Sequence, residues 1–275
     1  MKNIMKNYIE CKDIVKVYLN GPVSTTALRG INAKFESGNI YIIFGPSGSG
    51  KSTLLNIIGG LLNPTSGVIK FNIDENEFEI NRDTQDLFEY RKSHVSYIFQ
   101  EPIFLSFLNV EENIRFIINS KKNNEKEKIK EVLEMTNLLH KIKSYPYQLS
   151  GGEKQRLSIA MALSLNNKIW LCDEPTGTLD SENKKQIINL LKKIKEEDPS
   201  KIMIIVTHDP IFQSIASQML IIKDGLISLV IDKENIDTFS EDILLYKVLN
   251  QKLDDTIKKE RILKRLEEIK RELEK

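Results

Sequence analysis

Short unbroken apolar runs alternate along this chain with stretches in which apolar residues return every three or four positions. The runs are Ile40-Tyr41-Ile42-Ile43-Phe44, Val95-Ser96-Tyr97-Ile98-Phe99, Ile169-Trp170-Leu171-Cys172 and Ile202-Met203-Ile204-Ile205-Val206. Their length and their β-branched side chains predict strands covered on both faces, as in a parallel sheet. The run at 202–206 is expected to be the last of them. Ahead of the first run, Tyr8 to Tyr18 mixes β-branched and charged residues and reads as an edge strand. Thr26 to Ile31 and Ala33-Lys34-Phe35 resume the alternation, which predicts an antiparallel β layer at the N-terminus. A turn at Asn63-Pro64-Thr65-Ser66-Gly67 leads into a short strand, Val68 to Phe71. Residues 72 to 92 are polar and are expected as a loop with one helix around Asp83 to Lys92. Leu220 to Ile227, centred on Asp224-Gly225, reads as a closing hairpin.

From 101 to about 165 the period becomes helical. Val110 to Ile118 is one predicted helix and Glu125 to Leu139 another, with Ile129, Val132, Leu133 and Leu138 on one face. Asn119 to Asn124 is a polar break between them. This block reads as a helical subdomain inserted into the sheet domain. A further helix is predicted from Glu182 to Lys195. Residues 231–275 differ from the rest: Ile243, Leu244, Leu245, Val248, Leu249, Leu253 and Ile257 form a stripe, and Ile262, Leu266, Ile269 and Leu273 step by four, three and four. That is a coiled-coil rhythm, but two heptads are too few for self-association, so a charged, solvated terminal helix is expected. The predicted organisation is an α/β domain over 1–230, with its helical subdomain at about 101–165, followed by a helical tail.

Composition narrows the setting. A chain of 275 residues with formal charge +1 gives no electrostatic reason to invoke nucleic acid. Cys11 and Cys172 fit no metal spacing, and a reduced cytosolic protein is the default. Met1 to Asn7 has no apolar core of signal-peptide length. The apolar runs are too short to cross a bilayer, so action at a membrane would need a partner to hold the protein there.

The chemistry centres on Gly45-Pro46-Ser47-Gly48-Ser49-Gly50-Lys51-Ser52-Thr53, between the run at 40–44 and the predicted helix at Leu54 to Ile58. Strand, glycine loop and helix are the context in which G-x-x-x-x-G-K-[ST] binds phosphate. Backbone N–H groups can turn onto the phosphates, the helix N-terminus adds partial positive charge, Lys51 adds a full one, and the Ser52 hydroxyl can ligate Mg²⁺. Tyr147-Gln148-Leu149-Ser150-Gly151-Gly152-Glu153 supplies a second candidate. Ser150 and Glu153 have capping-box spacing, and the same hydroxyl and glycine amides at a helix N-terminus would also form an anion site. Asp173 and Glu174 close a buried strand, which is costly without positive charge nearby. Mg²⁺ shared with Ser52 would suit Asp173. Strand neighbours alternate direction, leaving Glu174 free to act on water. Gln100 and His208 sit at the ends of other strands, where open α/β sheets place their chemistry. By itself Gln100 is an ordinary amide and His208 a structural histidine. Tyr18 can stack on an adenine base or simply pack.

Taken together and in this order, the motifs resemble the ATP-binding cassette transport ATPases over residues 8 to about 230. The resemblance rests on the loop at 45–53, Gln100, Leu149-Ser150-Gly151-Gly152-Glu153, Asp173-Glu174, Asp180 and His208. The nearest subclass is the one serving lipoprotein release and macrolide-type efflux, through Asn63-Pro64-Thr65-Ser66-Gly67 and Asp173-Glu174-Pro175-Thr176-Gly177-Thr178-Leu179-Asp180-Ser181. It departs from the family pattern at Met161, where Arg is usual, and at Cys172, where a small residue is common. The resemblance implies a P-loop NTPase fold with ATP and Mg²⁺ as ligands. It matches Tyr18 to the adenine-stacking aromatic, Gln100 to a residue that touches Mg²⁺ and couples to the membrane partner, and His208 to the γ-phosphate switch. It places Asp180 with Ser150, Gly151 and Gly152 in the ATP site. It further implies that two subunits face head to tail, each ATP lying between one loop and the other subunit's Ser150-Gly151-Gly152.

The expected function is therefore an ATPase subunit, cytoplasmic and peripheral on the inner face of the cell membrane, powering a separate transmembrane exporter. Its expected partners are a second copy or a homologous ATPase subunit and a transmembrane permease. The alternative is an ATP-driven mechanical or regulatory module on a membrane protein, as in cell-division relatives. A DNA-repair or ribosome-associated ATPase would usually carry a long coiled-coil or zinc insertion or a duplicated cassette, and no such feature is evident.

Overall fold

The computed structural model describes residues 7–20, 23–118 and 125–236. The predicted break at 119–124 and the predicted tail helix beyond 236 lie outside the described residues. Strands β1 (Tyr8–Asn20) and β2 (Val23–Glu36) pair antiparallel, and β4 (Ser66–Ile73) and β5 (Asn76–Ile80) complete a four-stranded sheet in the order β2-β1-β4-β5. Strands β3 (Ile40–Phe44), β6 (Val95–Ile98), β7 (Ile169–Asp173), β8 (Ile202–Val206) and β9 (Gln218–Lys223) run parallel in a second sheet. Strand β10 (Leu226–Asp232) lies antiparallel on its edge, giving the order β10-β9-β3-β8-β7-β6.

The period of two decides where the core sits. Tyr41 and Ile43 of β3, Ile202, Ile204 and Val206 of β8, and Leu220 and Ile222 of β9 face one cluster. Their neighbours Ile40, Ile42, Phe44, Met203, Ile205, Met219 and Ile221 face another. The first cluster also holds Leu54, Leu55, Ile57 and Ile58 of helix α1 (Lys51–Ile58) and Ile9, Leu28, Ile31 and Phe35 of the antiparallel sheet. Helix α1 thus packs between the two sheets through Leu54, Leu55, Ile57 and Ile58, while Ser52 stays exposed. The second cluster is capped by Ile187, Ile188, Leu191 and Ile194 of helix α6 (Ser181–Glu197). Burying each such side chain contributes roughly 1.5–3 kcal/mol.

Helices α3 (Val110–Ile117), α4 (Glu125–Met135) and α5 (Gly151–Leu165) follow β6 and precede β7. They enclose a third cluster with Val110, Ile114, Ile129, Val132, Leu133, Leu138 and Leu157. Helix α5 belongs to both bodies, because Ile159 and Ala162 turn to the sheet.

Five expectations need correction. Strand β1 is central in its sheet, because β4 pairs on its other side. The strand expected at 68–71 is longer, and the expected loop at 72–92 contains β5 before helix α2 (Phe88–His94). Strand β8 is not the last buried strand: β9 pairs parallel with β3 and is itself buried at Met219 to Ile222. The body also passes residue 230, since Ile231 and Ile236 join the second cluster.

Candidate active site

The loop between β3 and α1 is held open by its backbone. Gly50 caps α1 in the left-handed region at φ 105°, and a Cβ there would stand 2.5 Å from the carbonyl oxygen of Ala27. Only glycine meets both conditions. Lys51 is buried, and its Nζ donates to the Pro46 carbonyl across the loop at 2.8 Å. Burial lowers its pKa, with Glu174 and Asp173 working in the opposite direction. The Ser49 hydroxyl is buried in the same loop without a hydrogen-bond partner.

Two strand ends, those of β7 and β8, converge on this loop. Asp173, the last residue of β7, accepts from the Ser52 hydroxyl at 3.0 Å. Burial raises its carboxyl above the ordinary range; the Ser52 bond opposes this, Glu174 adds to it, and Lys51 opposes it. Glu174 lies beyond the strand at φ 46°, with its N–H bonded to the Val206 carbonyl at 2.8 Å. Its Oε1 is 2.6 Å from His208 Nδ1, and its Oε2 accepts from Thr207 Oγ1 at 3.3 Å. The two carboxylates do part company, but through this left-handed residue rather than through strand pleating alone.

Tyr18 comes to the first turn of α1, its hydroxyl 3.5 Å from Thr53 Oγ1. Lys16 Nζ lies over its ring at 5.4 Å from the centroid. Gln100 is exposed beyond β6 and shares a shallow concavity with Phe99, Pro102, Phe104 and Asp173. Gly45, Pro46, Ser47 and Gly48 complete the loop ahead of Ser49.

Ser150, Gly151, Gly152 and Asp180 form a separate group. Ser150 caps α5: its Oγ accepts from the Glu153 N–H at 3.2 Å, and Glu153 Oε2 accepts from the Ser150 N–H at 2.8 Å. The second of these bonds holds the Glu153 carboxyl below its usual range, and Lys141 at 3.3 Å assists. Asp180 caps α6 through the Asn183 N–H at 2.9 Å and accepts from Asn183 Nδ2 at 2.7 Å. A Cβ on Gly152 would lie 2.1 Å from Asn183 Oδ1, so this glycine lets the two helix starts close on each other. Among the described residues, no hydrogen bond or ion pair joins this group to Lys51, Ser52, Asp173, Glu174 or His208. Sequence reasoning singled out neither Asn183 nor Thr207. Asn183 was detectable as the third residue of an Asp-capped helix; Thr207 carries no such local signal.

The donors fit a nucleotide and a divalent cation. An unpartnered buried hydroxyl, a buried lysine and an open helix N-terminus suit phosphate. One hydroxyl and one carboxylate at 3.0 Å suit Mg²⁺, which binds through one or two carboxylates plus phosphate oxygens.

Comparison with known proteins places these residues in context. The family profile described as ABC transporter matches residues 28–177. The uncharacterized ABC transporter ATP-binding protein MJ1508 of Methanocaldococcus jannaschii is 37% identical over 234 residues, covering 82% of this chain and 100% of that protein. The lipoprotein-releasing system ATP-binding protein LolD of Saccharophagus degradans is 36% identical, covering 80% of this chain and 96% of its own length. The dimeric structure of the cassette MJ0796 superimposes with a TM-score of 0.73 at 35% identity, over 82% of this chain and 98% of that one. The same cassette has been solved as a post-hydrolysis dimer bound to ADP and Pi.

Proposed function

Because the chain belongs to the ABC transporter family and is an ATPase of it, we propose that it powers a separate transmembrane exporter by closing, head to tail, as a dimer on ATP. One observation carries this reading. Lys51, the Ser52–Asp173 pair and the Glu174–His208 pair reach a single glycine loop from α1, β7 and the segment after β8. Ser150 and Gly151, capped and exposed, stand apart from them. A chain that keeps its second phosphate site away from its first is suited to lend that site to a partner. The dimeric cassettes among similar structures support this, and the lipoprotein-releasing relative supports export.

In this mechanism the loop amides and Lys51 bind the β- and γ-phosphates, and Tyr18 offers its ring to the base. Mg²⁺, when bound by Ser52 and Asp173 with Gln100 beside them, would neutralise charge developing on the β- and γ-oxygens. Glu174 orients the attacking water and takes its proton. An ionised carboxylate only accepts, so His208 carries its proton on Nδ1 toward Glu174. The other ring edge of His208, at Nε2, is left to face the γ-phosphate. The partner's Ser150 and Gly151 complete the cage, and the partner's Asp180, at the same helix junction, supports it.

Among the described residues no helix is long and apolar enough to cross a membrane. The segment after Gln100 instead carries Ile103 and Phe107 at 70% and 73% exposure, and Phe116 on α3 is 69% exposed. This is the surface for the permease, and Gln100 links it to the site.

Complementation tests the shared site. Lys51→Ala and Ser150→Arg should each be inactive alone. Mixed, they form heterodimers with one intact interface, and activity should return to roughly half the wild-type level or less, as mass action and one site per dimer require. Heterodimers confirmed by native mass spectrometry but without activity would refute the shared site.

A further inference from the structure

The β9–β10 turn meets the phosphate loop directly. Asp224 and Gly225 have φ of 50° and 79°, the left-handed pair that a two-residue hairpin needs. Gly225 is buried between exposed neighbours. Its N–H donates to the Ser49 carbonyl at 3.1 Å, and its carbonyl accepts from the Arg29 N–H of β2 at 2.9 Å. A Cβ at this position would stand 2.8 Å from the Ala27 carbonyl oxygen. The turn is therefore locked between β2 and the loop, with no room for a side chain.

The Ser49 carbonyl and the Gly50 N–H belong to one peptide. It is trans, so the two groups lie on opposite edges of a plane. Gly50 is the N-cap, and its carbonyl accepts the first intrahelical bond, from the Leu54 N–H at 2.9 Å, so the Ser49 carbonyl, one residue earlier, has no donor from α1. Here it accepts from Gly225 instead, and the Gly50 N–H faces away from the hairpin without an acceptor among the described residues. A hydrogen bond to the carbonyl also polarises the amide and strengthens its N–H as a donor.

We propose that Gly225 is a positioning residue for ATP: by holding the Ser49 carbonyl, it aims the Gly50 N–H at phosphate in the loop. This deepens the nucleotide-site reading by adding a residue that lies beyond the last of the sequence motifs. The closing hairpin thereby helps set the direction of a phosphate donor formed at the other end of the parallel-sheet domain's sequence.

Backbone chemistry separates positioning from packing. In the full chain, replacing Gly225 by glycolic acid turns its amide into an ester, which deletes its N–H and weakens the Asp224 carbonyl as an acceptor while leaving every side chain in place. An ester at Arg29, made with the α-hydroxy analogue, deletes the bond on the other side of the same turn. Binding of ATP and of adenosine is measured by competition against a fluorescent nucleotide, together with the melting temperature. The ester at 225 should weaken ATP roughly five- to tenfold, the worth of one hydrogen bond, and leave adenosine unchanged. The Arg29 ester should lower the melting temperature comparably and spare ATP. Gly225→Ala should follow the 225 ester if it folds; the esters decide the matter if it does not. Unchanged ATP affinity in the folded 225 ester, equal weakening of ATP and adenosine, or equal weakening of ATP by both esters would each overturn the proposal. Failure of the wild-type chain to bind ATP would instead overturn the nucleotide-site reading beneath it.

Discussion

Glu174→Gln should leave a protein that binds ATP, dimerises on it and scarcely hydrolyses it. The surroundings of Glu174 allow the cost to be divided. Oε1 sits 2.6 Å from His208 Nδ1, and Oε2 accepts from Thr207. A glutamine oxygen still accepts from His208, and its NH₂ can donate to Thr207 Oγ1. Both bonds survive, and what each loses is the charge assistance of the carboxylate. A charged hydrogen bond is worth about twice a neutral one, itself about 1 kcal/mol. His208 is 54% exposed on its side chain, so water screens the pair and the stability cost should stay below about 1 kcal/mol. The lost base is a different matter, at about 10²–10⁴ in rate, or roughly 3–5 kcal/mol of barrier. Phosphate release should therefore collapse while the melting temperature hardly moves. On size exclusion the variant should run as a monomer alone and with ADP, and as a dimer with ATP and Mg²⁺. Asp173→Asn should not trap a dimer, because it weakens the Ser52–Asp173 pair on which closure depends. Near-normal hydrolysis by Glu174→Gln, or a monomer with ATP demonstrably bound, would refute this division of labour.

Lys51→Ala should lose ATP turnover by at least about 10²-fold while keeping its fold, measured by phosphate release and circular dichroism, since Lys51 serves phosphate in a loop rather than a packed cluster. Asp198→Asn should destabilise by roughly 2–3 kcal/mol, less than a fully buried pair would, because Lys201, only 3% exposed, loses its counter-charge at 2.5 Å. Burial alone would raise the Asp198 carboxyl, but Lys201, Ser200 and Lys168 carry it well below its ordinary value. Its contribution is then complete above about pH 4 and fades as pH falls toward the folded pKa, so wild-type and variant melting temperatures should converge only in acid. Removing residues 237–275 should leave ATP affinity unchanged in a titration, because every residue assigned to the site lies between Tyr18 and Gly225 and Ile236 is retained in the core.

The buried parallel strands were legible because both faces of β3, β7 and β8 are covered, and the sequence answers with continuous apolar runs. The strand assignments that failed concern long-range pairing. Nothing within Tyr8 to Tyr18 says that β4, beyond the phosphate loop, will cover the second edge of β1. Strand β5 escaped because its hairpin turns on Asp74 and Glu75, at φ 51° and 66°, where Asn-Gly would have announced it. Only Phe78 and Ile80 mark its inner face, among acidic neighbours. The loop residues, the carboxylates and the two helix caps were readable because their chemistry is written in local spacing. Thr207 was not, since its partner Glu174 is distant in sequence and its role depends on a φ that no pattern reveals.

The capping box at Ser150 carries a consequence for how mutations there should be judged. A serine hydroxyl has one proton and two lone pairs. One lone pair is engaged by the Glu153 N–H, which restricts where the proton can point and leaves it to an outside acceptor. The bond that starts α5 therefore also orders a donor in advance, so that in the proposed head-to-tail dimer a partner's phosphate would meet a group whose rotor has already been slowed. Under that proposal helix stability and phosphate recognition, usually separable, would be vested in a single oxygen. Asparagine or aspartate would keep the cap and lose the hydroxyl; such variants would melt like the parent yet fail as enzymes. A stability screen across this family position would pass them, and only an assay of turnover would find them out.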